Sequence, residues 1–417
     1  MAVDTPARIA VLGAGPIGIE AALYGRYLGY DVDVYERGPL AANVQQWGHV
    51  RMFSPWRWNV STLGLAALAA QDPAWRPPEP DRLPTGQELV ERYLVPLAHS
   101  DLVVDSLRLG TEVLAVGREG LLKGDLVADE ARSEPSFRLL VRDRQGERYT
   151  TADVVLDCTG TFGNHNWLGT GGLPALGELA AASQIEYGLP DIAGADRARY
   201  ANRRVLVIGG GHSAATNVLA LASLAEEEPH TRILWVVRRA FSAGQGPLAL
   251  LEHDPLAERE RLAREANRLA AGGGKIECLP QTSVRSLIPR GGGFVVGLEG
   301  AHAGEREVDQ IIANVGWRPD RRIYEELQVH ECYATAGPMK LAAALLAAGG
   351  DCLAQPAVGA EALLHPEMDY YILGAKSYGR RSPFLLRTGH QQIRDVFRII
   401  FDRPNLDLYA THRSPYT

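Results

Sequence analysis

The chain has 417 residues, 46% hydrophobic and 22% charged, a globular composition too long for one ordinary core, so two or three domains are expected. Lys and Arg number 43 against 50 Asp and Glu, a formal charge of −7, with no long basic stripe, which argues against nucleic acid as a partner. No apolar run reaches the roughly 18–20 residues of a membrane span; the longest, Leu341 to Gly350, reads as a buried helix end. The opening Met1 to Pro6 lacks a basic segment followed by an apolar stretch, so no secretory signal is expected. Cys158, Cys278, Cys332 and Cys352 are scattered and form no Cys-x-x-Cys pair. That speaks against structural zinc, a disulfide framework and a dithiol redox centre, and a reduced, cytoplasmic setting is the expectation.

Arg8 to Leu12 is a short apolar strand, Gly13 to Gly18 a turn, Ile19 to Leu28 a helix ended by Gly29, and Asp31 to Tyr35 an alternating second strand. Residues 38–82 are irregular and carry Trp47, Trp56, Trp58 and Trp75; they read either as the aromatic wall of a substrate site or as core packing of a long loop. Thr85-Gly-Gln-Glu88 fits a capping box that opens a helix through Leu89, Tyr93 and Leu94. Strands are expected over Thr111 to Val116 and Phe137 to Val141, with a turn at Asp143 to Gly146. The buried strand Asp153 to Asp157 then runs into Thr159-Gly160.

The same events recur. Arg204 to Ile208 is a strand, Gly209 to Ala214 a turn, Ala215 to Ala225 a helix and Arg232 to Val237 a strand. A charged helix over Asp254 to Ala271 follows, then a strand over Phe294 to Leu298, and Asp309 to Gly316 repeats the strand-to-glycine ending. An internal duplication is the economical account: an α/β chain with one Rossmann-like dinucleotide-binding domain inserted in another. The expected domains are 1–195 with 317–417, and 196–316. In the tail, Gly374 marks a turn, Thr388 to Gln392 begins a helix, and Lys376, Arg380 and Arg387 are either anion ligands or solvated surface.

The two glycine-rich turns are not equivalent. In the first, Gly13 permits a tight turn, Gly15 lets backbone approach a pyrophosphate, and Gly18 lets helix and strand pack closely, with Pro16 and Ile17 between. The phosphates then lie at a helix N-terminus. Glu36 ends the next strand, where an acid accepts hydrogen bonds from ribose hydroxyls and repels a 2′-phosphate, so this site should hold FAD or NAD rather than NADP. In the second, Gly209 and Gly211 match and Ala214 replaces the third glycine, as the pattern allows. Arg238 and Arg239 stand where the acid would be, and guanidinium groups suit the 2′-phosphate of NADPH; two solvated arginines are the alternative. His212 and Ser213 lie in this turn without assigned chemistry. His49, His253, His365 and His390 show no metal-ligand spacing, and no metal is expected. Two such sites in one chain suggest two dinucleotides held face to face, as a hydride relay requires.

These motifs resemble flavoproteins with two dinucleotide-binding domains, the glutathione-reductase-like group, and within it the flavin-containing, N-hydroxylating and Baeyer–Villiger monooxygenases. The likeness rests on Gly13 to Gly18 with Glu36, Trp47, Thr159-Gly160, Gly209 to Ala214 with Arg238, and Gly316. It implies that Thr159-Gly160 and Gly316 mark crossings between domains. It further implies that Arg37, Trp47, Arg51, Met52, Phe53 and Gly374 join the cofactor-binding residues. Ser54 falls where the group carries an asparagine beside the reactive edge of the flavin, with Asn59 as substitute, and these two are the candidate catalytic residues. The phenylalanine–histidine motif that precedes the second turn in the group is absent, Ile185 to Asp191 standing there, and Ala375 replaces an acid, so the branch is divergent. The implied function is an NADPH-dependent FAD monooxygenase that uses O2 through a C4a-hydroperoxyflavin to oxygenate a small molecule at nitrogen, sulfur or a ketone. A flavoprotein reductase or dehydrogenase without oxygen insertion and a non-catalytic flavin-binding sensor are the alternatives; a homodimer is left open.

Overall fold

The computed structural model describes residues 7–241, 245–347, 359–381, 384–412 and 416. The first six residues, the end of the Leu341 to Gly350 run and Cys352 lie outside that set. In chain order the strands are β1 (Arg8–Leu12), β2 (Asp31–Glu36), β3 (Leu107–Leu109), β4 (Glu112–Arg118), β5 (Phe137–Asp143), β6 (Gly146–Ala152) and β7 (Val154–Asp157). There follow β8 (Arg204–Ile208), β9 (Arg232–Val237), β10 (Ile276–Pro280), β11 (Thr282–Arg290), β12 (Gly293–Gly300), β13 (Gly304–Val308), β14 (Gln310–Ala313) and β15 (Tyr370–Ile372).

Two compact units result. One comprises Met1–Gln45, Ser54–Asn164 and Trp317–Thr417, the other Gln46–Phe53 and His165–Gly316. In the first, a parallel sheet runs β15-β7-β1-β2-β3, and β4-β5-β6 form an antiparallel meander. The second has a parallel sheet β10-β9-β8-β14 and a meander β11-β12-β13. The topology is thus duplicated. In each unit the strand before the glycine turn lies between its βαβ partner and the strand that follows the meander.

The continuous apolar runs explain the parallel strands, which are covered on both faces. Val205, Val207 and Trp235 pack against helices His212–Glu227 and Ala257–Ala270, through Val218, Leu221, Leu262 and Ala266. Leu206, Ile208 and Val236 face the meander through Val284, Leu287 and Phe294. In the first unit Ala10, Leu12 and Tyr35 meet Val113, Phe137 and Leu139. Helix Leu386–Ile400 lies on helix Pro16–Tyr27, with Phe397 stacked 4.9 Å from Tyr24.

Several expectations need adjustment. The boundary expected at 195/196 falls after Asn164, because Leu168, Ala175 and Ile185 are buried against the second sheet, and Leu176 and Glu186 bridge to Ser286 and Ile312. Gln46–Phe53 also clusters with the second unit. The capping box at Thr85 is present on both sides, but the helix continues as a π turn over Val90–Leu94. The charged helix starts at Ala257 rather than Asp254, whose carboxylate instead pairs with Arg259 at 2.7 Å. Among the described residues no helix is long and apolar enough to cross a membrane. Nor, among them, does any group of three or more His, Cys, Asp or Glu come together to hold a metal ion.

Candidate functional site

In the first unit the strand order reverses between β7 and β1, and the crevice beyond the carboxyl ends of such strands is where open α/β sheets take ligands. β1 ends in Gly13, whose φ of +97° favours glycine. A Cβ on Gly18 would lie 1.8 Å from the Gly13 carbonyl oxygen, whereas one on Gly15 would meet nothing within 4 Å. Gly15 therefore borders open space at the start of helix Pro16–Tyr27, which has no side-chain cap and carries Pro16 in its first turn. Uncapped N–H groups there suit an anion.

Two substitutions separate these roles. Gly18→Ala is expected to cost about 3 kcal/mol by overpacking. Gly15→Ala, at an extended φ of −83°, should leave the melting temperature of the apoprotein unchanged while weakening dinucleotide binding roughly tenfold or more. Thermal melts and a binding titration of both variants check this.

Glu36 closes β2 half-buried. Its Oε2 accepts the Ala14 N–H at 3.0 Å and its Oε1 the Gly38 N–H at 2.9 Å, so the carboxylate braces the glycine turn. Each oxygen keeps a lone pair for a further donor. Arg37 is exposed and lines an open groove with Pro39, Leu109, Arg144 and Arg148.

Behind this rim lies a buried polar network. Asp157, at the end of β7, accepts from Lys376 Nζ (2.6 Å), the Tyr370 hydroxyl (2.9 Å), and the Thr159 hydroxyl and N–H (2.6 and 3.1 Å). Gly374, φ +69°, donates its N–H to Gln392 Oε1 at 2.8 Å; Gln392 in turn donates to Ser377 Oγ. Helix Leu386–Ile400 thus holds the Gly374 turn through a side chain six residues into the helix. Lys376 is neither an anion ligand nor surface: its side chain is 0% exposed. Arg387 lies 4.2 Å over Trp58.

Ser54 and Asn59 come together, but on each other. The Ser54 hydroxyl donates to Asn59 Oδ1, and Asn59 Nδ2 donates to the carbonyls of Ser54 and Pro55, each at 2.9 Å. Both are buried, and the short helix Trp56–Asn59 ends on this closed set. Neither has a donor hydrogen left in this conformation. Trp56 is fully buried core rather than an aromatic wall, while Trp47, Trp58 and Trp75 are half-buried.

In the second unit β8 ends in Gly209, φ +133°, where a Cβ would come 2.3 Å from the Asn314 carbonyl oxygen. Gly211 borders open space and caps helix His212–Glu227, again without a side-chain cap. Ala214 is buried; His212 and Ser213 are exposed. The Phe53 ring stands edge-on to His212 at 5.6 Å. Trp47, Arg51, Met52 and Phe53, expected among the cofactor-binding residues, cluster with the second unit. Their sequence gave no sign of this, since the contact with His212 spans 159 positions. Arg238 and Arg239 follow β9, both exposed, and among the described residues neither guanidinium meets a carboxylate. Such a pair can take a phosphate. Gly316, φ +84°, accepts the Asn166 N–H at 2.9 Å.

No family model matches the chain, and neither does any curated protein sequence. Solved structures do. Bacillithiol disulfide reductase from Bacillus cereus is 17% identical, with 95% of this chain and 99% of that one covered at a TM-score of 0.64. An ornithine N-hydroxylase from Kutzneria sp. 744, solved with reduced FAD, NADP+ and L-ornithine, is 14% identical over 95% and 99%, TM-score 0.61. The FAD-bound cadaverine monooxygenase of desferrioxamine biosynthesis from Erwinia amylovora is 12% identical over 96% and 95%, TM-score 0.62. The chain has the fold of two-dinucleotide-binding-domain flavoproteins, a fold shared by reductases and monooxygenases alike.

Proposed function

We propose that this chain is an FAD-dependent oxidoreductase that takes hydride from NADPH and oxygenates a small molecule with O2. The observation that carries the cofactor pair is an inequality at one topological position. β2 ends in the half-buried Glu36 carboxylate, whereas β9 is followed by two exposed guanidiniums that, among the described residues, meet no carboxylate. The carboxylate selects ribose hydroxyls and rejects a 2′-phosphate; the arginines do the reverse. The first unit then binds FAD, with Gly15 and Gly160 bordering open space for its backbone approach, and the second binds NADPH. Bound FAD supplies the redox centre that accepts hydride and passes electrons on. The chain's own residues bind and orient: Gly13 and Gly18 fix the turn, Glu36 the ribose, and Arg238 and Arg239 the 2′-phosphate.

At Cys158 and Cys278 thiol–disulfide exchange is disfavoured, because it needs a thiolate. Burial pushes Cys158, next to the first turn, well up, and Cys278 up to about 12. Hydrogen bonds with Thr335 and Ala334 hold Cys332 below its ordinary value, and it lies in the Glu331–Pro338 hairpin. A second reading, a reductase that inserts no oxygen, is favoured by the closed Ser54–Asn59 pair, which offers no hydrogen-bond donor.

Rapid mixing decides between them. NADPH should reduce the bound FAD under anaerobic conditions, and admission of O2 with amines, sulfides or ketones should give an oxygenated product. Stoichiometric H2O2 with every acceptor tried supports the reductase; no reduction of FAD by NADPH overturns both readings.

A further inference from the structure

The ion pair between Asp157 and Lys376 is 0% exposed on both sides. Removing two charges from water costs several kcal/mol per ion, and apolar residues of similar volume often stabilise a fold as well or better. A pair of this kind is thus a poor source of stability, and what it adds is position. Asp157 ends β7 and Lys376 follows the carboxyl end of β15 by four residues, beside the point where the strand order of the first sheet reverses.

The pair holds one piece of backbone. Lys376 Nζ donates to both Asp157 Oδ2 and Thr159 Oγ1, at 2.6 and 2.9 Å. Thr159 in turn gives its hydroxyl and its N–H to Asp157 Oδ1. The Tyr370 hydroxyl fills Oδ2 from β15, and the ring of Tyr324 lies 4.9 Å under the ammonium, its own hydroxyl spent on Glu331 at 2.5 Å. Thr159 is therefore held at two atoms by a group that cannot move without exposing a charge.

What Thr159 touches matters. A Cβ on Gly13 would meet the Cys158 carbonyl oxygen at 3.0 Å and the Thr159 Cα at 3.2 Å, so the turn after β7 is in contact with the first glycine turn. The next residue, Gly160, has a φ of +67° and borders open space, as Gly15 does. We propose that Lys376, with no exposed side-chain atom, is a positioning residue that locks Thr159-Gly160 against the Gly13 turn and thereby sets the affinity of the first unit for FAD. This rests on the reading of that unit as the FAD site.

The test is a titration of FAD into the full-length apoprotein, read by flavin fluorescence, beside a thermal melt of the same apoprotein. Lys376→Met leaves a buried carboxylate and is the severe variant. Asp157→Asn with Lys376→Met removes both charges, and Thr159→Val cuts only the hydroxyl link. The double variant and Thr159→Val should melt within a few degrees of wild type and bind FAD about tenfold more weakly or worse. Arg118→Met breaks a different buried ion pair of the same unit, the one with Glu367 at 2.8 Å. It should lower the melting temperature without moving the FAD dissociation constant. Unchanged FAD affinity in the double variant and Thr159→Val overturns the assignment, as does an equal loss in Arg118→Met, which would make the effect global. If wild-type apoprotein takes up no FAD, the proposed function itself fails.

Discussion

Replacing Arg238 and Arg239 together by alanine is expected to lower kcat/KM for NADPH by roughly 30- to 100-fold and to leave that for NADH nearly unchanged. The magnitude follows from two charge-assisted hydrogen-bonding groups, each worth about 1.5–3 kcal/mol when desolvated and less at an exposed strand end, so that about 2–3 kcal/mol is lost in all. Both guanidiniums are exposed, and among the described residues neither pairs with a carboxylate. Their removal therefore frees no buried charge, and the fold should be untouched. The loss should sit in KM rather than kcat, because a 2′-phosphate is held equally in the ground and transition states. Steady-state rates with both nucleotides at low and high salt check this. The NADPH advantage should also shrink as salt rises, since the contact is exposed. An unchanged NADPH:NADH ratio in the double variant would sink the assignment of the second unit.

Much of this arrangement was legible in the chain because backbone geometry demanded particular residues. Gly13 and Gly209 sit at φ values that favour glycine, and a side chain at Gly18 would strike the Gly13 carbonyl, so the turns announce themselves. The duplicated parallel strands were readable as continuous apolar runs, covered on both faces. The meander strands β11 and β13 were missed because their outer faces are polar and the apolar alternation is short. Lys376 was misread for a different reason. A lysine between small and aromatic residues looks like surface, and its partner Asp157 lies 219 positions away. The same holds for Phe53 on His212 and for Leu168 and Ile185 in the second core: none carries a local periodicity that names its partner. Ser54 and Asn59 were alternatives for one role in the sequence, and the structure bonds them to each other. That the two would satisfy each other depended on the backbone turning into the helix Trp56–Asn59, which four residues of sequence do not specify.

Glu20→Gln is expected to stabilise the apoprotein by about 3 kcal/mol at pH 8 and by almost nothing at pH 4.5. Glu20 lies in helix Pro16–Tyr27, one turn beyond the first glycine-rich loop, and is 1% exposed. Its Oε2 accepts the Tyr93 hydroxyl at 3.1 Å, while among the described residues Oε1 makes no hydrogen bond of ordinary geometry. Burial raises the carboxyl from 4.5 to about 7, against the smaller opposing pull of Ser61, Tyr93 and Tyr409. The neutral acid avoids a buried charge that these hydroxyls offset only in part. The folded pKa is above the unfolded one, so the neutral acid contributes its full stability below pH 4.5. That contribution is lost as pH rises through about 7, where the folded carboxyl also ionises. Glutamine keeps the shape and the donor and does not titrate, so the difference between variant and wild type should grow across this window and then level off. Urea unfolding at pH 4.5, 6 and 8 measures it. A difference that stays constant with pH would mean that the folded protein does not raise the Glu20 carboxyl. A growing difference would mean that the helix opening the first dinucleotide site is anchored by an uncharged acid, and is held most firmly on the acidic side of neutrality.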